Sequence, residues 1–282
     1  MEIITLVENL VYNKDLKGEH GLSFLIKIDN YKILFDVGQT GLILENAKLL
    51  EENLKDIDFV ILSHGHYDHT GGLEKFLEIN HTAKIIMKKN ILQQKYSSST
   101  GSIREIGFKL RDRYKNYPNE FLFLEEDYIL NNNIKIITQI DEYTNFEKIK
   151  QNLFIKKGDD FIMDQFQDEL FLTIIKDSKL NIITGCSHNG IINIIKTAID
   201  NTKINDINLV LGGMHLTGIK LNEKSLQDEN NNKIQKTIEE LKKLKIEKIY
   251  TNHCTGIDGF IKLKNSMGDK ISYSYTGINI KI

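Results

Sequence analysis

A chain of 282 residues with 40% hydrophobic and 27% charged residues has the make-up of a soluble globular protein long enough to bury a sizeable core. Its 37 Lys and Arg against 39 Asp and Glu leave a formal net charge of −2 with no like-charged run, which argues against a nucleic-acid partner. The start lacks a basic, signal-like segment, no window approaches the ~18 apolar residues of a membrane span, and Cys186 and Cys254 are too few for a disulfide framework, so a cytoplasmic protein without membrane contact is expected.

In chain order, apolar runs at 3–7, 22–28 and 31–35 predict paired antiparallel strands with a turn at Asp29-Asn30. A helix over 42–52, a buried strand at 58–62, a helix over 73–79 and a strand at 84–87 follow. From Asn90 to Tyr117 the rhythm breaks. Residues 97–102 are polar, and 103–117 are basic and partly aromatic, with Arg104, Lys109, Arg111, Arg113 and Lys115. Two readings stand for this insert: a solvated excursion, or a lid that binds an anionic group of a substrate. Beyond it, strands are predicted at 134–140, 170–176, 181–184, 208–211 and 248–251, with helices over 191–200, 233–243 and 259–267. Ile234, Ile238 and Leu241 recur at helical spacing with Lys and Glu opposite, as a helix lying on a sheet requires. With no repeat or linker, the pattern predicts a single domain over 1–282, α/β (α+β) in class, carrying an insert near 90–117.

The densest chemistry lies where the strand at 58–62 gives way to a loop: His64-Gly65-His66-Tyr67-Asp68-His69. Three of the chain's eight histidines and a carboxylate fall within six positions, a donor set suited to borderline divalent cations, and to two better than one. Alternate residues of an extended strand share a face, so His64 and His66 can point at one metal while Asp68 and His69 reach toward a second. The remaining histidines repeat the placement. His188, His215 and His253 each follow a strand-like run, and Asp36 follows the run 31–35. Strand ends along one edge of a sheet lie close, so these side chains are expected to converge on one cleft. His20 reads as a loop histidine, His81 as a surface or helix-capping residue, and Cys186 and Cys254 as small packed residues.

The motif 64–69 with His188 and His253 resembles the metallo-β-lactamase-fold hydrolase superfamily. The phrases His20-Gly-Leu-Ser23, Leu34-Phe-Asp-Val-Gly-Gln39, Gly185-Cys-Ser-His-Asn-Gly190, Gly212-Gly-Met-His-Leu216 and Asn252-His-Cys-Thr-Gly256 resemble its dihydropterin ribofuranosylaminobenzene phosphate synthase-like branch. The resemblance implies a four-layer αββα sandwich with a dinuclear site at one edge. It puts His64, His66 and His188 on the first metal and Asp68, His69 and His253 on the second, with Asp36 behind them orienting a ligand imidazole. It also lets His20 line the cleft and bind substrate. The chain departs from the superfamily in one respect: where a bridging Asp is usual, Gly212-Gly-Met-His215 stands, so His215 is a candidate to contact metal or substrate.

The expected cofactors are two divalent ions, zinc first, with manganese or iron as alternatives. The expected chemistry is attack of a metal-activated hydroxide on phosphorus or carbonyl, with Asp68 as the catalytic residue that holds the nucleophile and takes its proton. The expected partner is a small anionic molecule, a phosphorylated or phosphodiester compound. A di-iron redox protein and an RNA-processing nuclease on the same fold are the alternatives.

Overall fold

The computed structural model describes residues 1–147, 152–216 and 224–282, with the backbone alone over 224–230. It divides into two units: Met1–Glu125, Lys150–Leu170 and Tyr275–Ile282 form the first, and Glu126–Ile149 and Phe171–Ser274 the second. No helix among the described residues is long and apolar enough to cross a membrane.

The first unit is built on a seven-stranded sheet in the order Asn279–Lys281, Glu2–Val7, Ser23–Ile28, Tyr31–Phe35, Phe59–Ile61, Lys84–Lys88, Phe121–Leu124. The first three pairings are antiparallel, and those from Tyr31–Phe35 onward are parallel. The hairpin reverses at the expected turn, where Asp29 adopts a left-handed φ of 51°, the conformation such tight turns require. Parallel neighbours need a crossover, which helices Leu42–Leu49 and Leu73–Leu77 supply. Those helices bury Ile43, Ala47, Leu73, Phe76 and Leu77 against Ile4, Leu6, Leu25, Leu34, Val60 and Ile85 of the strands. The two chain ends meet on this sheet, with the amino group of Met1 donating to the Ile282 carbonyl at 2.9 Å.

A second, four-stranded antiparallel sheet of this unit runs Asp160–Met163, Leu153–Lys157, Lys95–Ser97, Arg104–Glu105. It absorbs part of the expected insert, whose tail closes in a short 3-10 turn at Tyr114–Asn116. The insert's guanidinium groups are largely occupied: Arg111 pairs with Glu105 at 2.5 Å and Arg113 with Glu74 at 2.9 Å. Arg104 instead lies over the Tyr67 ring, 5.8 Å from its centroid.

The second unit carries its own seven-stranded sheet, ordered Ile271–Tyr273, Ile246–Thr251, Ile207–Gly212, Lys179–Ile183, Phe171–Lys176, Ile134–Ile137, Tyr128–Asn131. Its parallel flank is linked by helices Ile191–Thr202, Lys224–Lys243 and Gly256–Met267. Ile191, Ile194, Ile195, Ile234, Ile238, Leu241 and Leu263 pack with Ile182, Val210 and Ile249. Helix Ile191–Thr202 opens without a cap of its own. The buried Glu147 carboxylate accepts from the N–H groups of Ile192 and Asn193 at 3.0 and 3.1 Å, meeting the positive end of the helix. Gly190 leaves the room for it, since a Cβ there would lie 2.5 Å from a Glu147 oxygen.

All ten predicted strands and all five predicted helices form, with bounds shifted by a few residues. The largest shift is in the fourth helix, expected over 233–243 and found over Lys224–Lys243. Its leading residues are polar, so no apolar stripe announced them.

Candidate metal centre

In the first unit, the parallel strands Tyr31–Phe35 and Phe59–Ile61 end side by side and deliver Asp36 and Ser63 next to each other. Asp36 is wholly buried and bends into the left-handed region at φ 57°. Its carboxylate accepts three hydrogen bonds: the Ser63 N–H and hydroxyl, both at 2.7 Å, and His69 Nδ1 at 2.7 Å. The Ser63 hydroxyl, having given its proton to Asp36, accepts from His64 Nδ1 at 2.9 Å. Both imidazoles therefore carry their proton on Nδ1 and keep the Nε2 lone pair for a ligand. Burial, and then the neighbouring His69 and His66, hold the His64 imidazolium well below the usual histidine range, so the ring stays neutral.

His64 Nε2 lies 3.1 Å from His66 Nδ1. Two nitrogens sharing a tetrahedral zinc at ~2.0–2.1 Å would be ~3.3 Å apart, so this spacing fits ligation of one cation. His66 leads into the single-turn helix Tyr67–Thr70, which buries Asp68 and His69. His20 sits half-exposed with Nε2 3.1 Å from Asp68 Oδ2. The expected residues His20, Asp36, His64, His66, Asp68 and His69 thus share one cluster, and His81 is exposed.

Two supporting residues escaped the sequence. Lys95 is fully buried, with its ammonium 2.5 Å from Asp164 and 2.8 Å from Asp168. The other Asp168 oxygen accepts the Gly65 N–H at 2.7 Å, inside the motif. Space at Gly65 is tight: an added Cβ would stand 3.0 Å from the Ile91 carbonyl oxygen and 3.1 Å from both Asp168 Oδ2 and Lys95 Cε. Phe166 in the same turn sets its ring against His66, with centroids 5.8 Å apart, and the Leu170 N–H donates to the Ser63 carbonyl. The segment 164–170 clasps the motif from below. Burial opposes charge on Lys95, but Asp168 and Asp164 outweigh it and raise the ammonium's pKa. No pattern distinguishes Lys95 from a solvated lysine in the sequence.

In the second unit, strands Lys179–Ile183, Ile207–Gly212 and Ile246–Thr251 are parallel neighbours, and His188, His215 and His253 follow their ends. The turns that place them are tight, with left-handed φ at Ser187 (56°), His215 (44°) and His253 (46°). His188 and His253 are buried. The His188 and His215 rings lie with their centroids 4.3 Å apart, tilted by 47°. Cys186 and Cys254 are buried and packed as expected, and they also join His215 in a tight donor cluster.

Replacing Asp36 with Asn should lower metal affinity about 10–100-fold, because the amide cannot accept from both His69 and Ser63 and so fix the ligating tautomers of His69 and His64. Competition against a chromogenic chelator measures it, and wild-type affinity would remove Asp36 from this role.

A buried set of imidazoles with fixed tautomers beside a carboxylate, at strand ends, is a donor set of the kind that holds divalent cations. Residues 16–132 match the family model described as the metallo-beta-lactamase superfamily, and the chain belongs to that superfamily.

Within it, the chain is 34% identical over 271 residues to the 7,8-dihydropterin-6-methyl-4-(beta-D-ribofuranosyl)-aminobenzene-5'-phosphate synthase of Methanocaldococcus jannaschii, covering 91% of this chain and 88% of that one. An uncharacterized protein of the same organism is 33% identical over 279 residues, covering 96% of each chain. Among solved structures, Tm1679, described as a metal-dependent hydrolase of the beta-lactamase superfamily, matches with a TM-score of 0.80 and 30% identity, covering 100% of this chain and 99% of that one. A diphosphatase of the PhnP family shares the fold alone, at a TM-score of 0.54 and 11% identity over 100% of this chain and 97% of that one.

Proposed function

We propose that the chain is a metal-dependent hydrolase of small phosphorylated or phosphodiester compounds that works with a pair of divalent cations. His64, His66 and His188 would take the first cation, and Asp68, His69 and His253 the second. The observation that carries this reading is the Asp36–Ser63–His64 and Asp36–His69 relay, which fixes two imidazoles as lone-pair donors inside a buried cluster. Divalent cations held there, zinc first, would supply Lewis acidity, which lowers the pKa of a water toward neutrality.

The chain's own groups do the rest. Asp68 accepts the proton of the attacking water, and His20, 3.1 Å from its carboxylate, is placed to take that proton onward to solvent. Arg104 over Tyr67 offers a positive group for an anionic substrate beside the motif, in keeping with the lid reading of the insert. The phosphate in the name of the methanogen relative supports a phosphorylated substrate.

That relative is named a synthase, which favours a second reading: the same centre transferring a group to an acceptor other than water. The test is a screen of apo and metal-reconstituted protein against phosphodiesters, phosphomonoesters, lactones and thioesters, run in ¹⁸O-water. Phosphodiester cleavage that vanishes on chelation, returns on adding metal and incorporates ¹⁸O is the expected result. Turnover indifferent to chelation would overturn the metal reading, and product formed only with an added acceptor would favour the transferase.

A further inference from the structure

The Asp36 relay reaches His64 and His69, whereas His66 is approached by a different segment, the turn 164–168. Asp164 Oδ1 accepts the Phe166 N–H at 2.7 Å, and Phe166 takes a left-handed φ of 49°, a conformation uncommon for an aromatic residue. The bend sets the Phe166 ring 5.8 Å from the His66 ring and 5.3 Å from the Lys95 ammonium. Two residues on, Asp168 divides its carboxylate. One oxygen accepts from Lys95 at 2.8 Å and the other from the Gly65 N–H at 2.7 Å. That N–H belongs to the peptide joining His64 to Gly65, so its direction governs where the neighbouring imidazoles point.

We propose that Asp168, held by Lys95, is a positioning residue that fixes the His64–Gly65 peptide and thereby sets the 3.1 Å spacing between His64 Nε2 and His66 Nδ1. The inference rests on the reading of those two imidazoles as ligands of one cation. Stability alone does not call for such a cluster, because well-packed apolar residues often replace a buried ion pair at no loss. Apolar packing lacks direction, whereas a carboxylate shared between an ammonium and an amide fixes a peptide plane. Lys95 is itself anchored. Its strand Lys95–Ser97 pairs with Leu153–Lys157 on one side and Arg104–Glu105 on the other. The Ile106 N–H donates to the Lys95 carbonyl at 2.8 Å, and the Ile106 carbonyl accepts from the Tyr67 N–H at 2.9 Å. The base of the insert therefore grips the chain on both sides of His66: at Gly65 through Lys95 and Asp168, and at Tyr67 through Ile106.

The experiment compares Asp168→Asn with Asp168→Leu, each in a Lys95→Met, Asp164→Asn background so that no buried charge is left alone. Chelator competition reads zinc affinity, cobalt(II) absorption reads ligand geometry, and hydrogen exchange of metal-free protein reads the Gly65 amide. The Asn variant keeps a carbonyl for the Gly65 N–H and should match wild type in all three. The Leu variant should bind zinc at least about 10-fold more weakly, alter the cobalt spectrum and exchange Gly65 faster, with the amides of Phe59–Ile61 still protected. Asp168→Ala alone, which leaves Lys95 paired with Asp164, should show the same losses and serves if the Leu variant does not fold. Wild-type affinity and spectra in the Leu and Ala variants would overturn the positioning role. Equal losses in the Asn and Leu variants would overturn it too, since the Gly65 contact would then not be what matters. A wild type that takes up no zinc would instead overturn the metal reading, and this inference with it.

Discussion

On the proposed function, His64→Ala is expected to depress metal-dependent phosphodiester turnover by more than the ~10–100-fold that loss of a supporting partner costs, since it would remove a ligand itself. The ring is pinned at Nδ1 by Ser63 and presents Nε2 3.1 Å from His66 Nδ1. Its loss takes away one donor and leaves the Ser63 hydroxyl with only Asp36. The deficit should appear both in turnover and in the stoichiometry of metal bound by equilibrium dialysis. A variant that keeps wild-type turnover and full stoichiometry would refute the assignment.

The second large effect concerns the clasp. Lys95→Ala strands two buried carboxylates, Asp164 and Asp168, which Lys95 neutralises at 2.5 and 2.8 Å. Breaking a buried pair from one side costs about 3–5 kcal/mol, a fall in melting temperature of roughly 10 °C for a chain of this size. Asp164→Asn and Asp168→Asn placed in the Lys95→Met background should recover most of that loss, because no buried charge is then left alone. The pH dependence gives a second handle. Lys95 has its pKa raised in the fold, so its stabilisation is complete below the ordinary lysine value of ~10.4 and fades as pH climbs through the raised one. The gap in melting temperature between wild type and Lys95→Ala should close over that alkaline range and stay constant between pH 7 and 9. A gap that closes on acidification instead would show that another group dominates.

The sequence disclosed what alternation and density can disclose. Runs such as Phe59–Ile61 and Ile207–Gly212 are short, apolar and β-branched, so they announced strands, and the donors at their ends followed. His64, His66, Asp68 and His69 were legible because four ligand-type residues stand within six positions. What stayed hidden depends on partners distant in the chain. Strand Lys95–Ser97 is too short and polar to look like sheet, yet it pairs with Leu153–Lys157 across more than fifty residues. Lys95 and Asp168 look like surface charges until the fold puts them together. On the lid reading the insert would offer its arginines to a substrate, but Arg111 and Arg113 are engaged by Glu105 and Glu74, partners that a reading of charge alone cannot locate.

The pairing of the first strand with the last, with Glu2 opposite Lys281, brings the two ends of the polypeptide onto neighbouring positions. A short Gly/Ser linker could join them, and new ends could be opened in the hairpin turn at Gly158, where an added Cβ would meet no described atom within 4 Å. Such a circular permutant would place His188, His215 and His253 ahead of Asp36 and the 64–69 motif along the chain, while moving the point of entry for fusions to the far end of that hairpin.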